Sequence, residues 1–492
     1  MTEELLYPGL EGGKTKHLPT ITIVAIVTVM LNTLLCINSA QAQGWPDVFD
    51  PNQLLTLNIE LLIPADWDTI RYDLTFDIEV PALFWADGEE SNKKLVSVRR
   101  KSCDAIPNET DPCKISLKID INEYISDQEW HGLNKLSLEN GDDQDVLAEG
   151  IAANIHRMAC VREGYGYDAW RANWVKLYIN GVYRGVYINA EQYDKRFLQN
   201  RGLYVWHRTW LYEYSGLDNF ELDVGDDLNP KSPTVDALRY EPFVIKFPSS
   251  ELYPTGGCYP TPDDAVLVTD LNGLINMQGM LTYAAVSALI SNPDELFSHG
   301  GHNTYFLDFD DGSGRKRMYF PWDVDAALSN VDSSIYERRL GQPTVYQDVI
   351  LGNPLFRCRY NRIIRNLLNG PLSEANIHSF IINSVETQAL IDALEADPWS
   401  KMEGDVANRF QEIRDWFSAR IVNVLAQVAH DEPSPPLLIY DLNIDGAIDW
   451  DDVATIFGNW LKTGPDIPGD FNNNQIVNFR DVAEFALVWQ AQ

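Results

Sequence analysis

The chain has 492 residues, 45% of them apolar and 11% aromatic, which suits one large core or two domains and argues against disorder. Acidic residues outnumber basic ones by 72 to 38, a net charge of −34. So negative a surface repels phosphate backbones and anionic headgroups, which argues against nucleic-acid and membrane-surface partners and fits divalent-cation binding.

In chain order, Lys14, Lys16 and His17 precede an apolar run from Ile21 to Ile37, followed by Ser39-Ala40-Gln41-Ala42-Gln43. A basic flank, a short apolar stretch and an A-x-A site are the parts of a secretory signal peptide, here residues 1–42. The protein is therefore expected to be secreted or held at the cell surface, with a membrane anchor only if the segment is retained. Export permits disulfides, and Cys103 and Cys113, flanking a loop with Pro107 and Pro112, are the expected pair. The other cysteines after the signal are Cys160, Cys258 and Cys358, so one thiol is left over. No C-x-x-C spacing points to zinc.

From Asp47 to about Lys246 the pattern is strand-like, with apolar alternation at Leu55, Leu57, Ile59, at Val96, Val98 and at Ile115, Leu117, Ile119. A helix is expected over about Asp145–Met158. Asn180-Gly181 lies between Val175–Ile179 and Tyr183–Ile188, a strong hairpin signal because both turn residues tolerate positive φ. Near residue 272 the period changes. Met277, Met280, Leu281, Ala284, Ala285, Ala288 and Leu289 follow helical spacing, strands are expected over Thr304–Phe309 and Arg317–Phe320 around an Asp310–Gly314 turn, and helices run from Pro354 to about Ala429. The body, residues 47–430, thus reads as α+β with a strand-rich front and a helical rear. Residues 431–437, containing Glu432-Pro433-Ser434-Pro435-Pro436, form a stiff linker.

No Ser-nucleophile elbow, H-E-x-x-H or Walker loop is present. Instead Asn292-Pro293-Asp294, Asn303 before a strand and Trp322-Asp323-Val324-Asp325 after the next strand supply acids and an amide at element ends. Phosphoryl transfer needs little more than a carboxylate to orient the attacking hydroxyl and oxygen ligands for magnesium. Taken singly, these acids read as helix caps; His299 and His302 read as surface residues of a Gly-rich loop. Together with Val98–Cys103, Lys114–Asp120 and the Tyr178–Tyr187 hairpin followed by Glu191 and Asp194, their order resembles the CotH kinase family, over about residues 47–425. That resemblance implies an atypical protein-kinase-like, two-lobed fold using ATP and Mg2+. It assigns Asp294 as the catalytic carboxylate, Asn303 and Asp323 as magnesium ligands supported by Asp325, and Lys118 as the phosphate-contacting lysine, with Lys114 and Lys135 as rivals. It puts Glu191 at a hinge that meets the adenine nucleotide. Ser102 stands where the family pattern has Gly, which puts the covering turn in doubt.

Residues 438–490 hold two twelve-residue acidic loops, each followed by a helical run. The first sets Asp441, Asn443, Asp445, Asp449 and Asp452 at positions 1, 3, 5, 9 and 12, and the second sets Asp470, Asn472, Asn474, Asn478 and Asp481 there. That is the ligand spacing of an EF-hand calcium loop. With Asp rather than Glu at position 12 and a Pro-rich linker leading into the first loop, the pair resembles a type I dockerin, a small all-α calcium-binding module. Gln475 replaces an expected Gly. The resemblance implies two Ca2+ ions and a cohesin-type partner, with Trp450-Asp451 and Phe479-Arg480 at the specificity positions; packing of Trp450 and Phe479 inside the module is the alternative.

The expected function is an exported CotH-like kinase that transfers phosphate from ATP to Ser or Thr of an extracytoplasmic protein and is tethered through its dockerin-like module. The alternatives are an inactive scaffold with the same fold and, ranked last, a carbohydrate-active protein. Asp323 and Asp325, two apart on one strand, do not face each other across a sugar.

Overall fold

The computed structural model describes residues 47–101, 114–141, 145–160, 167–206, 208–216, 219–224, 271, 273, 275–299, 303–310, 315–337, 346–399, 405–430, 440, 442, 448–463, 468–471 and 476–489. The signal segment, the Cys103–Cys113 pair, the 431–437 linker and Asp441, Asn443, Asp445, Asn472 and Asn474 lie outside them.

The alternating strands of the front half close into a barrel. β1 (Leu55–Leu61), β2 (Val80–Ala86), β3 (Lys94–Arg100), β4 (Leu117–Asp120) and β5 (Lys135–Glu139) pair antiparallel in sequence order, β5 then pairs with β7 (Val182–Ala190), and β7 with β6 (Ala172–Ile179). A parallel pairing of β1 with β6, Leu57 opposite Leu177, completes the circle. Leu57, Ile59, Ala82, Phe84, Val96, Val98, Leu117, Ile119, Leu136 and Leu138 are buried along it, the inward set that a period of two requires. At the tip of the β6–β7 hairpin, Asn180 and Gly181 both take positive φ, 52° and 76°, as a two-residue turn of this kind demands.

Helix α1 (Asp66–Arg71) bridges β1 and β2, and α2 (Val146–Met158) begins where Asp145 accepts hydrogen bonds from Leu147 N and Ala148 N. The short α3 (Lys195–Asn200) follows β7. A second sheet of order β11-β10-β8-β9 uses β8 (Thr209–Gly216), β9 (Asn219–Val224), β10 (Thr304–Asp310) and β11 (Arg315–Pro321). Inside this layer Arg317 and Asp308 form a two-bond ion pair, both buried. Helix α4 (Met277–Leu289) is buried on almost every side, as its unbroken small and apolar sequence predicts. Helices α5 (Pro354–Asn369), α6 (Glu374–Phe380), α7 (Gln388–Glu395) and α8 (Val406–His430) complete the rear. A mixed α+β body with strands in front and helices behind is therefore what forms.

The C-terminal segment repeats one unit twice. Helices α9 (Trp450–Gly458) and α10 (Phe479–Trp489) each follow a loop. Buried Asp452 accepts from Leu442 N and from Asp449 N (2.8 Å), and buried Asp481 accepts from Phe471 N (3.0 Å) and Asn478 N (2.8 Å). Leu442, Ile448 and Ile456 of the first unit meet Val477 and Phe485 of the second in a small core. Among the described residues no helix is long and apolar enough to cross a membrane.

Candidate phosphoryl-transfer site

A pocket between the barrel and the second sheet is lined by Lys101, Glu139, Glu149, Ala153, Trp170, Ile188, Ala190, Trp322 and Asp323. Its charged groups come from the ends of separate elements. Lys101 follows β3, Glu139 ends β5, Glu149 occupies the first turn of α2, and Asp323 follows β11.

The rear wall is built from backbone that few residues tolerate. Ser291, Asn303, Asp323 and Leu328 all have φ between 48° and 57°, a region where Asn and Asp are less disfavoured than most side chains. The cost, of order 1–3 kcal/mol at each such residue, is offset by cross-links. Leu328 N donates to Ile290 O (2.7 Å), Ser291 Oγ donates to Asn330 O (2.8 Å), and Trp322 N donates to Asn303 O (2.9 Å). An aromatic cluster of Trp170, Tyr193, Phe197, Tyr305, Phe320 and Trp322 backs the same corner, and the Tyr193 hydroxyl donates to Pro321 O at 2.8 Å.

This frame brings Asp294, Asn303 and Asp323 together. The Asn303 amide donates to Asp294 Oδ2 (3.2 Å) and approaches Asp323 O (3.4 Å), while Asp294 N donates to Asn292 Oδ1 (3.1 Å). Asp325 hydrogen-bonds Asp323. Burial raises the Asp323 carboxyl to about 6; Lys101 opposes the rise, Glu139 and Asp294 add to it, and the Asp325 bond opposes it again. Glu149 is pushed well above the ordinary carboxylate range by burial and then by Asp323, Glu139 and Asp325. The cation facing them is Lys101, which donates to Glu139 Oε1 (2.6 Å) and lies 4.7 Å from the Trp322 ring centre. Burial disfavours its charge, but Glu139, Asp323 and Glu213 outweigh burial and raise its pKa.

Carboxylates that resist ionising, first through burial and then through one another, are groups whose ionised form a divalent cation stabilises. Among the described residues no three His, Cys, Asp or Glu side chains gather closely enough to cage a metal. Magnesium, which keeps waters and binds through one or two carboxylates plus phosphate oxygens, needs no such cage. The oxygens of Asp294, Asn303 and Asp323 fit it chemically.

Two expected site residues are corrected. Lys118 pairs with Arg99 on one side and Ser137 on the other. The row beside the pocket is the next one on that outer face, where Lys101 N donates to Ser116 O (2.8 Å) and Glu139 ends β5. The lysine at the pocket is thus Lys101. Of the rivals, Lys114 pairs with Asp397 (3.0 Å) and Lys135 with Asp120 (3.4 Å). Glu191 is buried and held by Arg171 and Arg201, with Arg201 Nη2 2.9 Å from Oε2, and its N–H donates to Arg171 O (2.9 Å). Its carboxylate and amide are consumed inside the protein, so it is a clamp between two arginines rather than a nucleotide contact. Glu149 and Glu139 were missed. A single Glu among Leu147, Ala148, Ile151 and Ala152 on a buried helix was the signal for the first.

In the C-terminal repeat, Asp449 and Asn478 cap the two helices, accepting from Asp451 N and Arg480 N (2.9 Å each). The carboxylates of Asp452 and Asp481 each accept from two backbone N–H groups and are hard oxygen donors. Trp450 and Phe479 do not pack inside: they are 73% and 78% exposed.

A family model described as CotH kinase protein matches residues 109–424. No curated protein matches the chain.

Proposed function

Because the chain belongs to the CotH kinase protein family, we propose that it transfers the γ-phosphoryl group of ATP to a Ser or Thr hydroxyl of an extracytoplasmic protein. The observation that carries this reading is the convergence of Asp294, Asn303 and Asp323 opposite Lys101 and Glu149. Asp294 orients the attacking hydroxyl and accepts its proton. Its Oδ2 accepts from the Asn303 amide at 3.2 Å, which orients the carboxylate. Asn303 and Asp323 hold magnesium and Asp325 steadies Asp323; the ion, when bound, neutralises charge on the phosphate oxygens. Lys101 contacts the phosphates in place of Lys118, and Glu139, which accepts its hydrogen bond at 2.6 Å, restrains it.

The test is transfer from labelled ATP by the full chain with magnesium. Asp294→Ala is expected to lower transfer by roughly 10²–10⁴-fold while ATP binding persists. Undiminished transfer in the variant would refute the assignment. A well-folded chain that binds no ATP would favour the scaffold reading, in line with Ser102 where a Gly is expected.

The C-terminal repeat is proposed to be a dockerin-like, calcium-dependent tether. Its duplicated Asp452 and Asp481 and the paired exposure of Trp450 and Phe479 support a two-fold apolar anchor for a cohesin-type partner. The N-terminal basic-apolar-A-x-A pattern supports export. Calcium at about a hundred times its dissociation constant is expected to stabilise the repeat by about 2.7 kcal/mol, read as a calorimetric transition of the full chain that EGTA lowers. A thermogram identical with calcium and with EGTA would count against the tether.

A further inference from the structure

A second pocket lies on the barrel near the β6–β7 hairpin, lined by Trp67, Arg71, Lys114, Arg184, Tyr187 and Trp399. In a chain of net charge −34 it gathers three cations and three aromatic rings, and its charges are unevenly matched. The ammonium of Lys114 is spent, on Asp397 at 3.0 Å and on Val186 O. Asp397 in turn accepts from Val186 N (2.9 Å) and Trp399 N (2.9 Å), so it is used up as well.

The two arginines differ from this. Arg184 lies 4.6 Å over the Trp67 ring; its Nε and the Trp67 indole N–H are buried with no acceptor among the described residues. Neither Arg184 nor Arg71 has a carboxylate partner among the described residues. Burial weakens the Arg184 charge most; Tyr187 supports it, Arg71 weakens it, and the exposed Asp68 supports it. Buried donors without acceptors are rare in folded proteins and call for an explanation.

We propose that this pocket binds a tetrahedral oxyanion, a phosphate or sulfate group, through Arg71, Arg184 and the Trp67 indole. The donors come from two elements, α1 and β7, and so approach from different sides. A planar carboxylate offers two oxygens to them, whereas phosphate or sulfate offers three or four, and a guanidinium fork matches such oxygens in pairs. The flanking rings exclude water and strengthen each charged bond. The site shares no residue with the Lys101–Asp323 pocket and does not depend on the phosphoryl-transfer reading.

Calorimetric titration of the full chain with sodium phosphate, sodium sulfate and O-phosphoserine, in chloride buffer at low ionic strength, tests this. Saturable binding with a dissociation constant below about 1 mM is expected, weakened about 10- to 100-fold in Arg184→Gln. Trp67→Phe keeps the ring, loses the donor and weakens binding to a smaller degree. Equal affinity for the ions and O-phosphoserine identifies a free-anion site; tighter O-phosphoserine identifies a group carried on a larger molecule. Absence of saturable binding, unchanged binding in a folded Arg184→Gln protein, or displacement of phosphate by Mg-ATP would overturn the proposal.

Discussion

Asp323→Asn is expected to stabilise the magnesium-free protein by about 2 kcal/mol near pH 7.5 while abolishing magnesium-dependent ATP binding. A carboxyl held at about 6 instead of its ordinary 3.8 costs the ionised fold about 3 kcal/mol, at roughly 1.4 kcal/mol for each pH unit, and the partial exposure of Asp323 trims that. The sign follows from proton counting. Between pH 4 and 6 the folded protein binds the proton more tightly than the unfolded chain, so this group's contribution falls as pH rises through that window and is constant above it. Asn removes the dependence, so wild type and variant should converge near pH 4 and diverge by pH 7. Urea unfolding in EDTA across pH 4–8 measures the difference, and calorimetry with Mg-ATP measures the loss. A variant less stable than wild type at pH 7.5 would show that Asp323 is a structural group and not a strained ligand.

Glu191→Ala is expected to destabilise the fold by about 3–5 kcal/mol, since it leaves the guanidinium groups of Arg171 and Arg201 buried without their shared carboxylate. Burial works against the ionised Glu191, yet Arg201 and Arg171 outweigh it and hold its pKa at about 2. The linkage therefore runs opposite to that of Asp323. The stabilisation is fully present above pH 4.5 and is lost as pH falls toward 2. Wild type should lose stability through that window, and the variant should show less of that loss. Urea midpoints at pH 7 and pH 3 give both quantities. A variant of normal stability that no longer bound ATP would restore Glu191 to a nucleotide-contacting role.

Local chemistry explains which parts were legible from the residues alone. Asn180-Gly181 dictates its own turn, Asp145 caps its own helix, and the unbroken apolar face from Met277 to Leu289 admits little but a buried helix. That Asp294, Asn303 and Asp323 lie together was legible because each stands at the end of a strong element. The lysine was not. Lys118 and Lys101 lie on one outer face of neighbouring strands, and the register that puts one row rather than the next beside Glu139 is set by pairings across the barrel. Barrel closure was equally hidden, because β1 and β6 are joined in parallel over more than a hundred residues and no local pattern records such a pairing. Glu191 was misread because a carboxylate after a hairpin looks the same whether it faces a ligand or two arginines brought from positions 171 and 201. Trp450 and Phe479 carried two readings of equal weight, and only their solvent exposure separates them.

The bond from Val186 N to Asp397 spans 211 residues, and the Lys114–Asp397 pair spans 283. Gly185, with φ of 104°, leaves room for that carboxylate, which a Cβ would meet at 2.3 Å. A strand of the barrel is thus completed by a side chain from the last quarter of the chain. During synthesis the wall around Lys114 stays unfinished, holding a charged amine with no counter-ion, until residue 397 has emerged. Such long-range closure makes folding slow, since loop entropy is lost before the contact forms. The strands close the barrel among themselves, and the patch around Lys114 is expected to be the last part of its wall to set, because its counter-ion comes from the rear of the body.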